Sequence, residues 1–131
     1  MADRRVPGER FAFDEDVWVE EVGRFTATGP AHTSARVARA QIERPGASVA
    51  VRPCESEGAD GTRLAACAKV YVPVDVEPSL APYGFVFVIQ AETLGGRVLL
   101  RLVAYGERHP SSGRSVYERA HRRLHGRYPD Q

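Results

Sequence analysis

Arg108, His109, Arg114, Tyr117, His121, Arg122, His125 and Arg127 crowd donors and titratable groups into about twenty residues. Arginine presents a fixed planar fork that matches phosphate, while tyrosine and histidine can stack on a base or move a proton. These residues follow a long apolar stretch, so they would stand on a loop and helix just beyond a central strand, where a rigid sheet commonly positions function. The same pattern fits the solvated side of an amphipathic helix with Tyr117 packed at its edge, and composition alone leaves both readings open. Other chemistries lack their residues. The chain holds no phosphate loop ending in Lys-Ser/Thr, no G-x-S-x-G turn and no H-E-x-x-H. Cys54 and Cys67 are separated by 12 residues, far from the spacing of a zinc knuckle, and no histidine adjoins either thiol. Reduced thiols in the core or a loop are the simpler reading, and no metal or cofactor is expected.

Charge locates the same segment. The 131 residues carry a formal charge of +1, which by itself points to no polyanionic partner. Residues 97–131, however, hold eight arginines against Glu107, Glu118 and Asp130, a net of +5 that leaves −4 for the rest. Such asymmetry can mark an anion-binding face. Length and 43% hydrophobic content fit one domain over 1–131, with 1–10 a flexible lead and 126–131 a flexible tail. No apolar run approaches the roughly 20 residues of a membrane span, and Met1–Arg10 lacks the apolar stretch of a secretion signal. A cytoplasmic protein without a membrane partner is expected.

The elements that must hold these residues follow from period and punctuation. Phe11–Phe13 reads as a short strand or an extended lead-in, and Asp14 as the N-cap of a first helix whose Trp18, Val22 and Phe25 make a buried stripe. Gly29-Pro30 interrupts, and Thr33 or Ser34 caps a second helix that Pro45-Gly46 ends. Ser48–Arg52, Leu64–Val74, Gly84–Ile89 and Arg97–Tyr105 read as strands, with an exposed loop over Glu55–Thr62 and a Gly95-Gly96 turn joining the last two. Gly84–Ile89 is nearly all apolar, as a strand covered on both faces would be. Ser115-Val116-Tyr117-Glu118 has capping-box spacing for a last helix, which carries the stripes Val116/Ala120/Leu124 and Tyr117/His121/His125 and stops near Gly126. The expectation is an α+β fold: an antiparallel sheet of about four strands, two N-terminal helices and one C-terminal helix.

Tyr83–Ile89, then Gly96–Arg108, then Ser115–Ala120 resemble the second half of the RelE branch of the RelE/ParE toxin superfamily, with its hairpin, basic loop and closing Val-Tyr-x-x-Ala helix. The resemblance covers most of the chain in element order and is motif-level in the C-terminal third. It implies a RelE/ParE-like fold and a metal-independent endoribonuclease that cuts mRNA on the ribosome and is neutralised by a cognate antitoxin. On it, Arg108 matches the loop arginine and would hold the phosphate, and Tyr117 matches the tyrosine of the closing helix. Lys69, the lone lysine, lies on the strand where the family places basic residues. Arg101, His109, Arg114, His121 and Arg122 would line the RNA. Gly84 stands where the family has an arginine and Glu107 where its loop has a lysine. Two other readings accompany this one: a noncatalytic interaction module on the same fold, and a small-molecule-binding protein using the apolar hairpin.

Overall fold

The structure, a computed structural model, describes residues 4–54, 64–91, 98–109 and 115–125. The expected loop over 55–62, the Gly95-Gly96 turn, Arg114, Arg127 and the tail 126–131 lie outside these residues. The chain begins with strand β1 (Arg4–Pro7), a 3-10 turn (Gly8–Arg10) and strand β2 (Phe11–Ala12). Helices α1 (Glu15–Val22) and α2 (Pro30–Glu43) follow, then strands β3 (Ser48–Pro53), β4 (Cys67–Val72), β5 (Tyr83–Ala91) and β6 (Val98–Glu107), and helix α3 (Val116–His125).

All six strands join one sheet in the order β1-β3-β4-β5-β6-β2. β2 runs parallel to β6, and every other pair is antiparallel. This corrects the expected four-stranded antiparallel sheet with two N-terminal helices: the sheet is mixed, and two strands precede the helices. The short strand read at Phe11 is β2, two residues long, whereas β1 was missed: its four residues include two arginines and a proline, too short and too poor in β-formers to show alternation. Their placement bends the whole sheet. Neighbouring strands lie about 4.8 Å apart, so the outer strands of a flat six-stranded sheet would be on the order of 24 Å apart. Pro7 and Phe11 are four residues apart, a reach of at most about 14 Å. The sheet therefore curls until one N-terminal segment reaches both of its edges.

Local chemistry sets the helix ends. Pro30 starts α2 at its first turn, with Gly29 in the N-cap position, because proline has no N–H to lose there. The sequence reading took Gly29-Pro30 as a break and started the helix later. Ala31, Ala35, Ala38 and Ile42 form the buried stripe, and Arg44 is extended, as a residue before proline must be. Asp14 stands at the head of α1 but makes no capping bond, since Arg101 Nη1 takes both carboxylate oxygens at 2.8 and 2.9 Å. The capping box of α3 closes as read: Ser115 N–H donates to Glu118 Oε1 and Glu118 N–H to Ser115 Oγ, each at 3.3 Å.

The sheet is covered on both faces. Phe85 and Phe87 point with Phe11, Phe13, Val70 and Tyr105 into the larger core beneath α1 and α2. Val86 and Ala104 face the smaller one under α3, together with Cys54, Cys67, Val116 and Ala120. Burial pushes both thiols up, Cys54 to about 12 and Cys67 to about 11, so neither is a nucleophile near neutral pH.

One buried carboxylate joins α1, β6 and α3. Glu21, 1% exposed, accepts the Tyr105 N–H at 3.1 Å, Arg119 Nε and Nη2 at 2.9 and 2.6 Å, and Arg123 Nη2 at 3.0 Å. Burial raises its pKa, but the Arg119 bond and charge, the Tyr105 amide and Arg123 together hold it below the usual carboxylate value. Its contribution is therefore complete above the unfolded value of about 4.3 and is lost as pH falls through the lower folded value. Glu21→Gln should cost about 3 kcal/mol in urea unfolding at pH 7 and flatten the acid limb of the stability curve; an unchanged acid limb would reject this role. Gly8 is tied to the curl, because a Cβ there would lie 1.9 Å from the Ile42 carbonyl oxygen. Gly8→Ala should lower stability by about 1–3 kcal/mol, whereas Gly84→Ala, whose nearest neighbour is 3.5 Å away, should be tolerated by comparison.

Candidate functional site

Strand alternation places Lys69 and Tyr71 on the face of β4 that α3 only partly covers. Arg52 on β3 is the direct cross-strand partner of Lys69. Tyr71 pairs with Gly84 on β5, and Gly84 with Gly106 on β6, so a line of two glycines separates Tyr71 from the end of β6. Arg108 follows that end and its stem passes beside Gly84. Its Cγ lies 3.5 Å from where a Gly84 Cβ would be, and its guanidinium sits 3.7 Å from the Tyr71 ring centre. The position where the resembled family has an arginine is thus a glycine against which the Arg108 stem packs.

Tyr117 on α3 completes the cluster. The Lys69 ammonium is 5.2 Å from the Tyr117 ring centre and 5.6 Å from that of Tyr71, and the Arg52 guanidinium is 5.2 Å from Tyr71. Arg108 Nη1 donates to the carbonyls of Pro78 and Ala81 at 3.0 and 2.8 Å, and its backbone N–H to Pro82 O at 3.0 Å. Arg108 Nε is buried and has no hydrogen-bond partner among the described residues. Burial pushes the Tyr117 phenol up, against the opposing pull of the Lys69 charge and of the Arg108 hydrogen bond and charge. Tyr117 is accordingly a protonated donor at neutral pH. Three cations around two half-buried phenol rings suit an anion carried on a planar group.

The sequence-named residues divide between this cluster and other places. Lys69, Arg108 and Tyr117 come together. His109 is exposed beside Arg108. Arg122 is exposed on α3, and His121 is 3% exposed with its ring 4.9 Å from that of His125. Arg101 is engaged by Asp14 and by Gln90 Oε1 at 3.2 Å. Arg114 lies outside the described residues. Arg119 and Arg123 serve Glu21, and Arg123 also pairs with Glu20 at 2.8 Å. Two of the eight arginines of the +5 segment are therefore answered by acids of the −4 remainder across the α1–α3 seam.

Sequence reasoning missed Tyr71 and Arg52. The Lys69-x-Tyr71 alternation could have shown the first; the second needs the β3–β4 register, which no local signal gives. Comparison with protein-family models, with curated proteins and with solved structures returns no match to this chain.

Because the Lys69 charge lowers the Tyr117 pKa, Lys69→Met should move the Tyr117 phenol titration to higher pH, read as phenolate absorbance in difference against Tyr117→Phe. An unmoved titration would mean that Lys69 and Tyr117 do not share one site.

Proposed function

We propose that this chain is a RelE-like toxin-type endoribonuclease that cleaves mRNA on the ribosome, with Lys69, Arg108 and Tyr117 at the reacting phosphate. The convergence of these three around Tyr71 from β4, the end of β6 and α3 carries the reading. In such a reaction the 2′-oxygen attacks the adjacent phosphorus while the bond to the 5′-oxygen breaks. On this reading the Lys69 ammonium beside the Tyr117 ring and the charge of the Arg108 guanidinium beside Tyr71 hold the extra negative charge of the phosphorane. Tyr117, a neutral phenol, gives its proton to the departing 5′-oxygen. His109, exposed next to Arg108, is the nearby imidazole in sequence to accept the 2′-hydroxyl proton. The ribosome, the absence of a metal requirement and a neutralising antitoxin come with the resemblance.

One observation favours a second reading, a noncatalytic module that binds a protein partner. Arg108 Nη1 is already spent on the Pro78 and Ala81 carbonyls, so Arg108 also serves as a clamp on that connection.

Ribosomes programmed with a defined mRNA separate the two. The nuclease reading expects cleavage that falls about 10²–10³-fold in Arg108→Ala and at least about 10²-fold in Tyr117→Phe, with thermal unfolding of Tyr117→Phe close to that of the parent. No cleavage by the parent, with one stoichiometric protein partner recovered, would select the interaction module instead.

A further inference from the structure

The β3–β4 ladder contains only Arg52 with Lys69 and Pro53 with Ala68. Before that point β3 gives Ser48–Val51 to β1, and after it β4 continues against β5 as far as Val72. The two strands part there, and the sheet opens into a cleft of about 250 Å³ that reaches the C-terminal turns of α2. Three features of this wedge point to a ligand. Gln41, on its α2 wall, has a buried Oε1 with no hydrogen-bond partner among the described residues, a costly arrangement that a ligand N–H would relieve. Arg5, Arg44, Arg52 and Lys69 line it, with Asp75 as the sole carboxylate among its described lining residues. Ile42, Val49 and Val70 add apolar lining, and Tyr71 adds an aromatic ring. The volume lies just below the roughly 300–1,000 Å³ of ordinary small-molecule sites. A small ligand with a hydrogen-bonding edge, a planar body and an anionic group meets all three.

We infer that the wedge binds one nucleoside monophosphate unit, its base edge on the Gln41 amide and its phosphate among Arg44, Arg52 and Lys69. The unit has two sources, a free mononucleotide or one residue of an RNA strand. Lys69 and Tyr71 belong to both the wedge and the cluster around Arg108, so a strand seated in the wedge leads its next phosphate toward Arg108. Binding here does not require that the protein cleave RNA.

Calorimetric titration of the full chain with the four ribonucleoside monophosphates, ribose 5-phosphate, inorganic phosphate and an RNA trinucleotide tests this. At least one mononucleotide, or the trinucleotide, should bind about tenfold more tightly than ribose 5-phosphate or phosphate. Gln41→Ala should weaken that binding about five- to tenfold, Ala50→Trp should abolish it by filling the wedge, and Arg36→Ala on the exposed side of α2 should leave it unchanged. Mononucleotide binding identifies the free source, and trinucleotide binding alone identifies the strand. Base-free phosphates binding as tightly as nucleotides, or an affinity indifferent to Gln41→Ala, overturns the proposal. If Ala50→Trp does not fold, Gln41→Ala decides. Loss of ribosomal cleavage with nucleotide binding intact would remove the nuclease reading and leave this one standing.

Discussion

The N-terminal segment hydrogen-bonds to β3 with its first half and to β6 with its second, although these strands occupy nearly opposite ends of the sheet order. A flat sheet cannot satisfy both pairings over four residues, so the curl is a consequence of chain length rather than of any one side chain. Phe11 and Phe13 then close on Phe85 and Phe87 at ring separations of 4.9–5.6 Å, in edge-on contacts that aromatic quadrupoles favour. Gly8 sits where the segment passes against the Ile42 carbonyl, with no room for a side chain. Ile42 belongs to the same C-terminal end of α2 as Gln41, so the helix that the turn rests on also walls the wedge between β3 and β4. Curl, core and cleft share one cause.

Electrostatics divides into a seam and a face. Glu21 desolvates at a cost, and that cost is met by two guanidinium groups and a backbone amide, which fix α3 relative to α1 and β6. Arg101 with Asp14 repeats the pattern near the surface, half exposed and worth correspondingly little. Three of the arginines that made the C-terminal third look like an anion site, Arg101, Arg119 and Arg123, are held in ion pairs with acids of the N-terminal part. The cationic face that is left draws on β3 and β4 through Arg52 and Lys69, which a count over residues 97–131 does not include.

Legibility tracked the range of the interaction responsible. The Ser115/Glu118 capping box, the buried alternation of β4 and the doubly covered β5 depend on near neighbours or on period, and the sequence displays both. The start of α2 at Pro30 was hidden because Gly-Pro is both a breaker and a good first turn. β1 was hidden because its strand character comes from partners about forty residues away, not from its own composition, and the parallel pairing of β2 was hidden because its partner lies about ninety residues away. Within the site, Lys69, Arg108 and Tyr117 could be named from type and resemblance. Their meeting beside Gly84, and the diversion of Arg101, Arg119 and Arg123 into ion pairs, are set by register and curl.

The segment's two short strands also determine how the sheet meets other copies of itself. An open strand edge with a free row of amides and carbonyls invites a foreign strand, and β5 and β6 are apolar enough to make such an encounter persistent. β1 covers the β3 side with Arg4, Arg5 and Pro7, charged and donor-poor residues of the kind that discourage further pairing. β2 covers β6 at Leu100 and Arg101, and farther along Glu21 takes the Tyr105 N–H while Arg24 Nη2 takes its carbonyl at 2.7 Å. Side chains of α1 and of the turn that follows it thus stand in for the rungs that a neighbouring strand would have supplied. Shortening the segment before α1 would uncover both margins together, and self-association through strand addition, rather than simple loss of the core, is the failure to which this architecture is exposed.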